Sequence, residues 1–108
     1  MIVHVVMYKF EHGLEKMANM AKAKTMLEAL PEKLEWLQSI QAGVDFDRSA
    51  SSYDFCLYAT FKTREHLMWF KVEQASLEAL NFLKEVTEAS HVVDYVVDDD
   101  EISCRSNV

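Results

Sequence analysis

Four histidines and two cysteines are the side chains of this sequence best suited to acid–base, nucleophilic or metal chemistry, and their spacing narrows what they can do. His4, His12, His66 and His91 are scattered and no Cys-x-x-Cys joins Cys56 to Cys104, so no metal-ligand spacing is present. No metal and no cofactor are expected. Two glycines, Gly13 and Gly43, are too few for a phosphate-cradling loop. Asp45 and Asp47 alternate with apolar residues, which places them on the wet face of a strand as solvated charge. His12 and His66 fall at a turn and on a helix surface, and His91 at the start of a strand. His4 differs because it lies inside the apolar run from Ile2 to Val6. A histidine there can act as a general base if a neighbour tunes it and a pocket holds a substrate. It can equally be a core residue satisfied by Asp94 or by the main chain.

The elements that position these groups follow from periodicity. Residues 2–10 are rich in Val, Ile, Tyr and Phe and read as a strand. Met17, Met20, Ala23, Leu27, Leu30, Leu34 and Leu37 recur at intervals of three and four, one face of a helix. Pro31 lies within that span, so the helix should kink there or restart with Pro31 in its first turn. Residues 40–47 alternate, with Ile40, Ala42, Val44 and Phe46 apolar. After the turn-forming segment 48–52, residues 53–62 place Tyr53, Phe55, Leu57, Ala59 and Phe61 on one face, completing a hairpin.

Thr63 is the expected N-cap of a short helix carrying Leu67 and Phe70, with Glu65 in its first turn. A further helix aligns Ala79, Phe82, Leu83 and Val86, and residues 91–97 form a last strand. The order β-α-β-β-α-β, with short connections, predicts an α+β ferredoxin-like fold. Its four-stranded antiparallel sheet has the first and third strands central and makes the first and last strands neighbours. That adjacency is what makes Asp94 the candidate partner of His4. Residues 1–97 are expected to form the domain and 98–108 an acidic, mobile tail. Cys56 reads as a packed core thiol and Cys104 as an exposed one.

Both faces of the first strand are apolar, Ile2, Val6, Tyr8 and Phe10 against Val3, Val5 and Met7. The last strand is similar, with Val93, Tyr95 and Val97 against Val92 and Val96. Helices can cover one face only. A second copy of the same sheet is the simplest cover for the other, so a homodimer is expected. Composition closes off other partners. A formal net charge of −7 offers no basic surface for nucleic acid. No apolar run approaches a membrane span and the N-terminus lacks a signal-peptide pattern, so the expected setting is cytoplasmic.

Several segments together carry a family likeness. The opening Val3-His4-Val5-Val6-Met7-Tyr8-Lys9-Phe10, then Ala29-Leu30-Pro31-Glu32-Lys33 and Ala42-Gly43-Val44-Asp45, resemble the stress-responsive dimeric α/β-barrel (Dabb) family. The resemblance continues in Ser52-Tyr53-Asp54, Tyr58-Ala59-Thr60-Phe61 and Val92-Val93-Asp94-Tyr95. It implies a dimer in which two sheets pack into a barrel. The family includes polyketide cyclases with a histidine-lined pocket between sheet and helices, and their first-strand histidine matches His4. Their other pocket positions fall on Phe55 and Phe70, and their His-Pro-x-His motif on Glu73-Gln74-Ala75-Ser76, so those histidines are absent. The first functional expectation is therefore a homodimer binding a small apolar or aromatic molecule, with Tyr53, Phe55 and Phe70 as contacts and no established catalysis. The alternatives are a small cofactor-independent enzyme, cyclase-like or monooxygenase-like, with His4 as base beside Asp94, and a purely structural stress protein.

Overall fold

Alternation along the strands decides which residues meet the helices. In the computed structural model, which describes residues 1–98, the elements are β1 (Ile2–Phe10), α1 (Lys16–Glu28), β2 (Leu37–Val44), β3 (Phe55–Phe61), α2 (Arg64–Val72), α3 (Gln74–Val86) and β4 (Thr87–Val96). Beyond Asp98, the expected tail, including Cys104, lies outside the described residues. The strands form one antiparallel sheet in the order β2-β3-β1-β4, with β1 and β3 central. This is the ferredoxin-like arrangement expected from the sequence.

On the helix side of the sheet, Ile2, Val6, Tyr8 and Phe10 of β1 meet Phe55, Leu57, Ala59 and Phe61 of β3. These pack with Met20, Ala23 and Leu27 of α1, Leu67 and Phe70 of α2, and Ala79 and Leu83 of α3 as one buried cluster. Lys24 fastens α1 to β2, donating to the Glu28 carboxylate at 2.8 Å and to the Ala42 carbonyl at 2.6 Å. The Lys24 ammonium holds the Glu28 carboxyl below its ordinary value.

Several boundaries differ from the sequence reading, among them β3, which opens at Phe55 and not at Tyr53. The stripe from Met17 to Leu37 is not one helix. α1 stops at Glu28, and Leu30–Glu32 is a separate 3-10 turn with Pro31 in its first positions, where a missing N–H is harmless. Leu34 lies in the link and Leu37 already opens β2. All the same, Met20, Ala23, Leu27, Leu30, Leu34 and Leu37 are buried, whereas Met17 is exposed. β2 ends at Val44 because Asp45 turns the chain, its carboxylate accepting from the Arg48 N–H at 2.7 Å, and this leaves Phe46 exposed. β4 begins at Thr87, not His91. The Thr87 hydroxyl donates to the Leu83 carbonyl at 2.6 Å and closes α3, so the chain enters the strand directly. At the other helical start the expectation holds, with Thr63 Oγ1 accepting from the His66 N–H at 3.1 Å.

The opposite sheet face carries Val3, Val5 and Met7 of β1, paired with Tyr95, Val93 and His91 of β4 and with Thr60, Tyr58 and Cys56 of β3. No helix covers it. Met7 is 43% exposed, Val93 56% and Tyr95 44%, an apolar patch of the kind that marks an interaction surface. Cys56 belongs to this face, half-buried, and not to the core. Phe55 and Leu57 take the inward positions, so alternation turns the thiol outward, and partial burial raises its pKa.

Candidate functional site

His4 sits in the middle of β1 on the helix side, directly opposite Asp94 of β4 and Ala59 of β3. Its Nδ1 and the Asp94 carboxylate form a hydrogen-bonded pair. The two partners differ in exposure: the His4 side chain is 8% accessible and that of Asp94 36%. A carboxylate at Nδ1 fixes the ring orientation and favours a proton on Nδ1, which leaves Nε2 as the basic nitrogen. Phe70 of α2 packs against the ring edge-on at 6.1 Å between centroids.

Asp94 opens onto a cleft of about 390 Å³ between α2 and β4. It exists because the helices lie over the inner strands and leave the helix side of edge strand β4 uncovered, with Val92 and Val96 exposed. Ile2, Leu67, Met68 and Val96 give the cleft apolar walls, and Arg64 and Lys71 stand at its rim. The cleft reaches the carboxylate of the His4–Asp94 pair, while the imidazole lies behind it in the sheet.

The structure does not bring Tyr53, Phe55 and Phe70 together. Phe55 is buried against Tyr8 and Phe10, with ring centroids at 6.2 and 5.4 Å. Phe70 is buried between Phe61, at 5.5 Å, and His4. Tyr53 precedes β3, so strand alternation does not bind it, and its ring packs on His91 at 5.4 Å on the open side of the sheet. Both phenylalanines thus serve the core in this conformation. His66 is also not the surface residue its position suggested. Its ring lies between Trp36 and Trp69, at 6.0 and 4.9 Å, with Nδ1 buried and without a hydrogen-bond partner. The signal available in sequence was the His66/Trp69 spacing of three on one helix. Ser76, where the cyclase motif has its second histidine, is a fully buried residue whose hydroxyl has no partner. Among the described residues no group of three metal-binding side chains converges, and no helix is long and apolar enough to cross a membrane.

Tyr8 lines the core beside Phe55, and burial pushes its phenol up to about 12 from an ordinary value of 10.0. The native state resists ionisation while the unfolded chain ionises near its ordinary value. This contribution is therefore complete below pH 10 and is lost as pH rises toward the native value, by roughly 2–3 kcal/mol. Urea titrations from pH 9 to 12 on wild type and Tyr8→Phe should separate as the wild type loses stability faster. Parallel pH profiles would show that the phenol is not held neutral by burial.

A family model described as the stress-responsive A/B barrel domain, Dabb, matches residues 2–97. The chain belongs to this family. Among curated proteins none matches the sequence. Solved structures do. A dimeric ferredoxin-like protein of unknown function from Bacteroides fragilis superposes with a TM-score of 0.82 at 24% identity, covering 89% of this chain and 95% of that one. A hydroxynitrile lyase from Passiflora edulis gives 0.70 at 13% identity over 91% of this Dabb chain and 94% of its own. An antibiotic biosynthesis monooxygenase gives 0.73 at 10% identity over 91% and 99%. At these identities the likeness is one of fold.

Proposed function

We propose that this Dabb chain is a homodimer, closed through the open face of its sheet, that binds a small apolar or aromatic molecule in the cleft between α2 and β4. The observation that carries the binding site is the cleft itself, about 390 Å³ of largely apolar space ending on the carboxylate of the His4–Asp94 pair. The dimer is supported by the exposed patch at Met7, Val93 and Tyr95, and the similar protein from Bacteroides fragilis is described as dimeric. A cytoplasmic setting and a functional unit of residues 1–97 fit the same reading. Tyr53, Phe55 and Phe70 act as the frame of the fold around this site; Leu67, Met68 and Val96 take over as the ligand contacts.

An amide-resolved NMR titration with small aromatic compounds tests this. The expected shifts map to residues 67–71 and 94–96. Shifts confined to Val5, Met7 and Val93 would place the apolar affinity on the open face and overturn the cleft.

One observation favours a catalytic second reading. With Nδ1 held by Asp94, His4 Nε2 is oriented as a general base. His4→Ala then separates binding from chemistry. A pure binder keeps its affinity, whereas an enzyme keeps affinity and loses on the order of a hundredfold or more in turnover. The similar folds of a hydroxynitrile lyase and a monooxygenase make those two reaction types the first to assay.

A further inference from the structure

The cleft has a chemical polarity that the apolar reading leaves unused. Arg64 and Lys71 are seven residues apart on α2, two helical turns, so both project from the same face, with Met68 between them. The structure gives neither cation an ion pair among the described residues, where the pairs are His4–Asp94, Lys16–Asp54 and Lys24–Glu28. The carboxylate that lines the same cleft, Asp94, is engaged by His4. Two cations without an ion pair among the described residues therefore border an apolar trough formed by Ile2, Leu67, Met68 and Val96. This occurs in a chain whose net charge of −7 repels anions at long range, so any affinity for an anion has to be local.

We infer that the cleft recognises a small amphipathic acid, an aryl or alkyl carboxylate or sulfonate, with its anionic group on Arg64 and Lys71 and its apolar body against Leu67, Met68 and Val96. This rests on the cleft being the binding site and adds the class of ligand. Arg64 offers a planar fork suited to two carboxylate or sulfonate oxygens, and Lys71 a point charge one helical step beyond the apolar body. The acid group stays at the rim, where its desolvation is incomplete, and the apolar body fills the trough. Asp94, which lines the same cleft, disfavours the reverse orientation, because it would face the anion with a like charge.

The test uses the full chain and two fluorescent probes of similar shape, anilinonaphthalene sulfonate and the uncharged phenylnaphthylamine. Wild type should bind both. Replacing both cations, Arg64→Ala with Lys71→Ala, should weaken the sulfonate by about tenfold at low salt, as two partly exposed ion pairs imply, and leave the neutral probe within about twofold. Met68→Glu, at an exposed position that folding tolerates, should likewise disfavour the sulfonate more than the neutral probe. If the cation replacements change neither probe, or weaken both alike, the acid class is wrong while the cleft stands as a binding site. If neither probe binds wild type, the cleft reading falls with it.

Discussion

Replacing Val93 with Asp is expected to turn the proposed dimer into a monomer. Val93 pairs with Val5 on the open side of the sheet and is 56% exposed in the isolated chain. In the proposed dimer a two-fold axis places the substitution in the interface twice, and each buried, unpaired carboxylate costs several kcal/mol. A rise in dissociation constant on the order of a thousandfold or more follows. The adjacent residue supplies the control. Val92 is equally exposed but points to the helix side, so Val92→Asp should leave the dimer intact. Sedimentation velocity over a concentration series reads both variants, and circular dichroism reports whether each is folded. A dimeric Val93→Asp, or a monomeric Val92→Asp, would place the interface elsewhere.

Phe70→Ala should be the most damaging single truncation in the described core. The side chain is fully buried and touches the Phe61 ring on one side and the His4 ring on the other, so neither neighbour can move into the space without losing its own packing. Large-to-small changes at such aromatic sites cost about 3–5 kcal/mol. Against a total stability of about 5–15 kcal/mol for a typical domain, that is a loss large enough to lower the urea midpoint severely. In the proposed dimer, association offsets part of it, so protein concentration must be matched between variants. Met68→Ala, two residues away on the solvent side of α2, should stay within about 0.5 kcal/mol of wild type. Equal losses at the two positions would show that Phe70 is not a packing centre.

The sheet was legible in the sequence because alternation holds through the middle of the strands, with register shifts only at Lys9/Phe10 and Leu37/Ser39. The inward sets Ile40, Ala42, Val44 and Phe55, Leu57, Ala59, Phe61 pair in the observed register, and the neighbourhood of His4 and Asp94 follows from strand order alone. Helix limits were less legible. Leu34 and Leu37 are buried whether or not the backbone is helical, so a burial period cannot report the change of conformation after Pro31. The candidate ligand contacts failed to cluster for a related reason. Phe55 and Phe70 fall at pocket positions of the cyclases this chain resembles, yet here the Phe55 ring is buried against Tyr8 and Phe10 and the Phe70 ring against Phe61 and His4. Tyr53 sits outside the strand that was expected to orient it. The cleft itself had no signature, because its residues come from β1, α2 and β4 and meet only where the helices stop short of the edge strand.

Native mass spectrometry of freshly purified protein asks whether a second copy of the chain covers the open sheet face. The expected species is a dimer at twice the 12.5 kDa chain mass that persists on dilution into the nanomolar range. A species at 12.5 kDa throughout the dilution series would contradict it.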